Sequence, residues 1–129
     1  MANKFVQGGD YTLQITATDE AGVVIDLTTL AGYIFIIFYS DNTVLQQYSE
    51  QTKAGFKPLI RHDETNGIFR VLLQSADTKI ARVEEIFGEV KLETVDVNFD
   101  DNTKHDPETG ISLGNIVKSQ SEQYTDLTA

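Results

Sequence analysis

The segment from Tyr33 to Tyr39 is apolar at every position, and it constrains the fold more than any other part of the sequence. Successive side chains of a strand point to opposite faces, so both faces of this strand would leave water. A helix of the same residues would also be apolar all round, but the β-branched and aromatic content favours a strand. The segment therefore predicts a central strand. Its second face is covered either by the helix or a loop of the same chain or by another subunit.

Strand patterns flank this segment. Residues 11–18 alternate between apolar and polar, which is typical of a strand with one buried face. Asp41-Asn42 predicts a hairpin turn, after which residues 43–48 return as the partner of the apolar strand. Further strands are predicted at residues 23–27, 59–62, 68–73 and 85–99, with one more short strand or a docking segment at 111–117.

The long strand at 85–99 changes its apolar parity midway. Val90 and Leu92 share one face, whereas Val95, Val97 and Phe99 share the other. We therefore expect a bulge or bend near Glu93-Thr94.

Residues 75–82 are the helix candidate, with Ser75 suited to the N-cap and Asp77 to the first turn. The connections between the predicted strands are too short for βαβ crossovers. The sequence thus predicts an all-β fold, a small antiparallel β-sandwich (immunoglobulin-like or a related barrel) with one short helix and a C-terminal arm. Because the composition changes after residue 100, we expect a β-sandwich domain over residues 1–100 and a C-terminal arm or docking segment over 101–129.

Composition narrows the classes of partner. The net charge of -10 repels phosphates, which argues against nucleic acid and anionic membrane surfaces as partners. The longest uncharged apolar run, Leu30 to Tyr39, is too short to span a membrane as a helix, and the first residues lack the apolar core of a signal peptide. The absence of cysteine excludes disulfides and thiolate metal sites.

Candidate chemistry is sparse. His62-Asp63-Glu64 and His105-Asp106 hold the two histidines, and both lie in segments with turn composition, so we interpret them as surface turns. Asp96, Asn98 and Asp100 match the first three ligand positions of a calcium loop, but Asp101 stands where that loop needs glycine. No nucleophile elbow or phosphate loop occurs. We expect no enzyme activity, no catalytic residue, no cofactor and no metal.

Association surfaces are the alternative to catalysis. One face of the apolar strand and the apolar positions near the C-terminus are predicted to contact neighbouring chains, since contiguous exposed aromatic side chains are costly unless covered. The predicted interface residues are Tyr33, Phe35, Ile37, Tyr39, Ile111, Leu113, Ile116 and Tyr124.

The order of several ordinary motifs resembles a known family. Residues 7–15 contain Gly8-Gly9-Asp10-Tyr11-Thr12-Leu13, and residues 19–28 follow a D-x-x-G-x-x-x-D-L-T pattern. The strand Gly67 to Leu73 and the turn Ser75 to Thr78 continue the order. Over residues 7 to about 99 the chain is similar to the N-terminal β-sandwich domain of phage upper baseplate and tail-fibre-attachment proteins.

The resemblance implies a structural role. It implies an adaptor that joins fibres or receptor-binding components to the tail, baseplate or neck of a virion, assembled in the host cytoplasm. Its partners would be other virion structural proteins and further copies of itself. Proteins of this family usually continue into a long C-terminal region, whereas this sequence ends at Ala129. The alternative function is a carbohydrate- or protein-binding β-sandwich of a bacterial surface system.

Overall fold

The computed structural model describes residues 3–19, 21–107 and 111–118, and in this part of the chain two sheets and one α-helix form. Three short 3-10 helices, Leu27–Thr29, Glu64–Asn66 and Asp100–Asn102, lie in the connections. The strands are β1 (Lys4–Val6), β2 (Tyr11–Thr16), β3 (Gly32–Tyr39), β4 (Val44–Ser49), β5 (Lys57–Pro58), β6 (Ile60–Asp63), β7 (Ile68–Leu73), β8 (Glu85–Val95), β9 (Thr103–Pro107) and β10 (Ile111–Val117), and helix α1 is Ser75–Ile80.

The larger sheet has the strand order β1-β10-β8-β3-β4-β5, with β9 also paired to β8. The smaller sheet has the order β2-β7-β6 and is antiparallel throughout. The larger sheet is mixed, because β1 pairs with β10 and β4 pairs with β5 in parallel. The predicted all-β sandwich with one short α-helix is therefore confirmed, and the expectation that every strand pair is antiparallel is wrong for these two short pairs.

Strand β3 is central, as its apolar sequence predicts. It pairs with β8 along its whole length and with β4 on its other edge. The predicted hairpin between β3 and β4 is confirmed, with Asn42 at a positive φ of 69° in the turn. Such a backbone conformation is one that asparagine adopts more readily than most residues.

The hydrophobic core lies between the two sheets. From the larger sheet, Phe35 and Ile37 point inward and are completely buried. From the smaller sheet, the alternate residues Phe69, Val71 and Leu73 meet them, also completely buried. Each such side chain contributes about 1.5–3 kcal/mol by leaving water.

Gly88 leaves the room that one core ring occupies. It stands on β8 directly opposite Ile37 of β3. A Cβ at Gly88 would lie 2.9 Å from Cε1 of Phe35 and 3.2 Å from Cδ1 of Leu113. The close approach of Phe35 to the β8 backbone therefore depends on glycine at this position.

Helix α1 holds the chain where it enters the smaller sheet. The buried hydroxyl Oγ1 of Thr78 accepts a hydrogen bond from the Gly8 amide at 2.9 Å and donates to the Gly9 carbonyl at 2.8 Å. The Asp10 carboxylate accepts from the Ser75 amide at 2.6 Å. We call this cluster of five residues the N-terminal joint.

Two expected strands differ from the structure. Residues 23–27 form no strand; an isolated bridge joins Thr18 to Val24, and a 3-10 helix begins at Leu27. Strand β8 ends at Val95, and its register with β3 and β9 is continuous, so no bulge occurs near Glu93-Thr94. The change of parity is accommodated because the chain leaves the sheet after Val95, the first residue of the second apolar set.

Residues beyond 100 contribute to the larger sheet. β9 and β10 both pair with the edge of β8 that faces away from β3, and β10 also pairs with β1. Residues 103–107 and 111–117 are therefore strands of the sheet, and not part of an arm separate from it. Residues 119–129 of the expected arm lie outside the described residues. No helix in the described ranges is long and apolar enough to cross a membrane.

Candidate functional site

The predicted contact face of β3 lies inside the chain. Tyr33, Phe35, Ile37 and Tyr39 are at most 4% exposed. The ring of Phe69 from the smaller sheet packs against Phe35 at 5.7 Å between centroids and against Tyr33 at 5.3 Å. These four residues belong to the core, which corrects their assignment to a surface between chains. The apolar run indicates two faces to be covered, but it does not indicate which face the second sheet covers.

The opposite face of β3 keeps apolar side chains at the surface of the larger sheet. Ile34, Ile36 and Phe38 are half-buried. Phe87 of β8 stacks on Phe38 at 5.9 Å between ring centroids. This outer strip (Ile34, Ile36, Phe38 and Phe87) includes the second apolar face that the sequence of β3 predicts.

The predicted contact residues near the C-terminus have three different environments. Ile116 is 1% exposed and packs in the core. Leu113 is half-buried against the core, and Ile111 is 56% exposed. Tyr124 lies outside the described residues. Of these positions, Ile111 alone is a largely exposed apolar side chain among the described residues.

Three exposed apolar side chains lie close together in the sequence where β8 leads into β9. Glu93 is the last residue of β8 that pairs with β3, whereas Thr94 and Val95 pair only with β9. The hairpin therefore continues past the end of β3. We call residues 95–102 the projecting tip; its Val95, Val97 and Phe99 side chains are 76%, 78% and 49% exposed.

Backbone and side-chain hydrogen bonds hold the projecting tip in a defined shape. The Asp96 amide donates to the Asn102 carbonyl, and the Asn102 amide donates to the Phe99 carbonyl. Asp101 and Asn102 have φ angles of 58° and 54°, the left-handed region that these two residue types tolerate. The three apolar side chains are therefore displayed by an ordered turn that also contains three aspartates.

Two of the calcium-like residues of the tip, Asp96 and Asn98, bond to each other within the turn. Oδ1 of Asp96 accepts from both the backbone amide and the side-chain amide of Asn98, each at 3.0 Å. Within the described ranges, no three or more His, Cys, Asp or Glu side chains are grouped so that they could hold a metal ion. The pattern Asp96, Asn98, Asp100 thus forms a side-chain-stabilised turn.

The two histidines lie on different sheets. His62 is in β6, where its Nε2 is 3.3 Å from an Arg70 guanidinium nitrogen. His105 is in β9, and its Nδ1 is 3.6 Å from Glu93 Oε1. His62 lies within the strand predicted at 59–62, whereas the placement of His105 in a turn is wrong because it lies in β9. Their side chains are exposed, and they do not share a site.

An open polar cavity of about 360 Å³ lies between Tyr33 and Arg61 at one end of the sandwich. The Tyr33 hydroxyl donates to Glu64 Oε2 at 2.9 Å, and Arg61 donates to Glu50 Oε2 at 2.6 Å. Burial, and then the Glu64 carboxylate, raise the pKa of Tyr33 well above its ordinary value. The phenol is therefore a neutral hydrogen-bond donor at ordinary pH, and the charged groups around it are paired with one another. Leu27, Thr28, Leu30, Ala31 and Gln51 complete the lining.

Sequence comparison does not indicate a function for the chain, so the surface of the protein is the main guide to its function. No protein-family model matches the chain, and no curated protein matches it significantly. The sequence did not identify the projecting tip, because Val95, Val97 and Phe99 alternate with polar residues as in a strand. The density of Asp and Asn from Asp96 to Asn102 was the available signal for a turn.

Proposed function

We propose that the chain is a non-enzymatic structural or adaptor protein of a tailed-phage virion, which joins fibres or receptor-binding components to the tail, baseplate or neck. The projecting tip is the observation that carries the proposal. Three apolar side chains on an ordered turn that continues past the end of β3 are costly in water unless a partner covers them. Covering Val95 and Val97 would contribute about 1.5–3 kcal/mol each.

The charges of the tip indicate the chemistry of its partner. Asp96, Asp100 and Asp101 alternate with or follow the apolar side chains. A complementary surface would offer an apolar pocket with a rim of lysine or arginine, since opposite charges fix the register of a docked element. Another virion protein with such a pocket is the partner that we propose.

The N-terminal joint brings together two of the segments on which the resemblance to the phage family rests. Its Gly8-Gly9-Asp10 and Ser75 to Thr78 segments are two of the motifs that carry the resemblance, and they are far apart in the sequence. In the fold they contact each other through Thr78 and Asp10. The two segments therefore share one structural role, because their contacts fix the position at which the chain enters the smaller sheet.

The test is the protein content of particles induced from the host that encodes the chain. Quantitative mass spectrometry of purified particles should find the chain at a fixed ratio to the tail proteins. Deletion of its gene should yield particles that lack fibres or receptor-binding components. If the chain accumulates in cells but is absent from washed particles, the proposal is refuted.

The polar cavity favours a second candidate, the carbohydrate-binding β-sandwich of a bacterial surface system. Its paired carboxylates and guanidinium could form hydrogen bonds with sugar hydroxyls. A glycan array probed with the purified protein tests this candidate. A hit that weakens in the Gln51→Ala variant would support it, and the absence of any hit would exclude it for the glycans on the array.

A further inference from the structure

We propose that β2 pairs antiparallel with β2 of a second copy of this chain, which would join the two smaller sheets into one continuous sheet across a twofold axis. The inference concerns an edge far in sequence from the projecting tip, and it does not depend on the proposed function. It rests on the hydrogen-bonding pattern of β2, on the sequence of that strand, and on a comparison with the other strand edges.

One edge of β2 has outward-facing backbone groups. Residues 11–16 pair in continuous register with β7, and the next residue, Ala17, donates its amide to the Gly67 carbonyl at 2.8 Å. In an antiparallel ladder, alternate residues bond to one neighbour. The odd-numbered residues of β2 therefore bond to β7, and Thr12, Gln14 and Thr16 direct their amides and carbonyls to the other edge. No described residue forms a hydrogen bond with these groups.

The sequence of β2 offers no protection against pairing. From Tyr11 to Thr18 it contains no Asp, Glu, Lys, Arg or His, in a chain whose net charge is -10. The strand contains no proline, and its ladder with β7 contains no bulge. Open, flat, uncharged edges are templates for another strand, and natural proteins block them when no partner is intended.

The other described strand edges each carry such a block. Some are very short, some contain charged residues or proline, and some are interrupted by a bulge. The blocks are Lys4 in the three residues of β1, Lys57-Pro58 in β5, Arg61 to Asp63 and a bulge in β6, Lys104 to Pro107 in β9, and the bulges in β4 and β10. The contrast indicates that the β2 edge is left open for a partner.

A second copy fits this edge because the strand is self-complementary. With Gln14 opposite Gln14 on the twofold axis, Thr12 faces Thr16 of the second copy, and these pairs are the hydrogen-bonded ones. On the inner face, Leu13 then lies opposite Ile15 of the second copy. Polar residues meet polar residues on the exposed face, apolar residues meet apolar residues on the inner face, and β2 itself contributes no charged side chain; the nearest described charge on that face is Arg70 of β7, which donates to the Gln14 side chain at 3.2 Å.

Substitution of Thr12 and Thr16 tests the register with matched charges. Thr12→Glu with Thr16→Glu places like charges opposite each other twice, as does Thr12→Lys with Thr16→Lys. Thr12→Glu with Thr16→Lys places opposite charges there. An oppositely charged pair directly across a ladder stabilises it by up to about 1 kcal/mol, and a like-charged pair destabilises it. We therefore expect the two like-charged variants to dimerise about tenfold more weakly than the Glu/Lys variant.

Sedimentation equilibrium from micromolar to millimolar concentration measures the dimer. If overall charge governed association instead, the Lys/Lys variant would dimerise more tightly than the wild type, and that result would overturn the proposal. A wild type that remains monomeric over the whole range would overturn it as well, while leaving the test of particle content unaffected.

Amide hydrogen exchange of the wild type provides a readout that needs no variant. We expect the Thr12, Gln14 and Thr16 amides to become protected as the protein concentration rises. Protection that is independent of concentration in a monomer would contradict the proposal, because it would indicate that a segment of the same chain occupies the edge.

Discussion

Replacing Gly88 with alanine tests the packing of the sandwich at its tightest point. The new Cβ would overlap the ring of Phe35, which is completely buried and packs at 5.7 Å from the Phe69 ring. Overpacking of this kind costs about 1–3 kcal/mol. Removing a glycine from a strand interior stabilises by about 0.5–1 kcal/mol. We therefore expect Gly88→Ala to lower the free energy of unfolding by up to about 2.5 kcal/mol, the difference between these two effects.

Urea denaturation followed by circular dichroism measures the effect, with Gly32→Ala as the control. The Cβ of an alanine at Gly32 would meet the end of the flexible Glu50 side chain at 3.3 Å, so this variant should be neutral or slightly stabilised. Adding Phe35→Leu to Gly88→Ala should recover part of the loss, with a coupling of about 0.5–3 kcal/mol. Gly88→Ala and Gly32→Ala variants of equal stability would refute the close packing of Phe35 on β8.

Two further substitutions test the N-terminal joint and a surface ion pair. Thr78→Val removes the hydrogen bonds of the buried hydroxyl with Gly8, Gly9 and Ser75 and should cost about 1–3 kcal/mol in urea denaturation; a smaller effect than that of a surface Thr→Val control would contradict the joint. The Arg82 guanidinium, which donates to Asp41 at 2.9 Å, lowers the pKa of Asp41 to about 2. Because the pKa is depressed in the fold, the stabilisation is present above the unfolded pKa and is lost as the pH falls through about 2. An NMR titration should give that midpoint, and Arg82→Gln should raise it; an unchanged midpoint would contradict the pairing.

The sequence predicts the strands whose apolar pattern is strong. β3 and β4 were predicted within a residue or two, because an apolar run and an Asp-Asn turn are local signals. β7 was predicted for the same reason. The helix was predicted from its capping residues, although its N-cap is Gln74 and not Ser75, with Asp77 in the first turn as expected. These elements, together with the short connections, were enough for the all-β sandwich.

The sequence does not predict the pairings that depend on distant residues. β9 contains Lys104, His105 and Asp106 and reads as a polar loop; it forms a strand because β8 offers it an edge. β1 and β5 are too short for a periodic signal, and they pair in parallel with strands far along the chain or across a loop. Local patterns contain no information on such partners.

The sequence led to the expectation of an association surface, but it did not point to the residues of the projecting tip. The grouping of Tyr33, Phe35, Ile37 and Tyr39 on one face of β3 was correct. That face lies in the core because β7 packs on it, with Phe69 in contact with Phe35. The exposed apolar residues of the tip follow from the extension of β8 to Val95, two residues past Glu93, where its pairing with β3 stops.

The incorporation of a tip variant into particles tests the central claim most directly. Val95→Thr with Val97→Thr keeps the shape of the two side chains and removes their apolar character. The control is Val23→Thr with Val24→Thr, which changes two other exposed valines. We expect the tip variant to fold with unchanged stability yet to be largely lost from purified particles, while the control is retained. Retention of the tip variant at the wild-type copy number would contradict docking through the projecting tip.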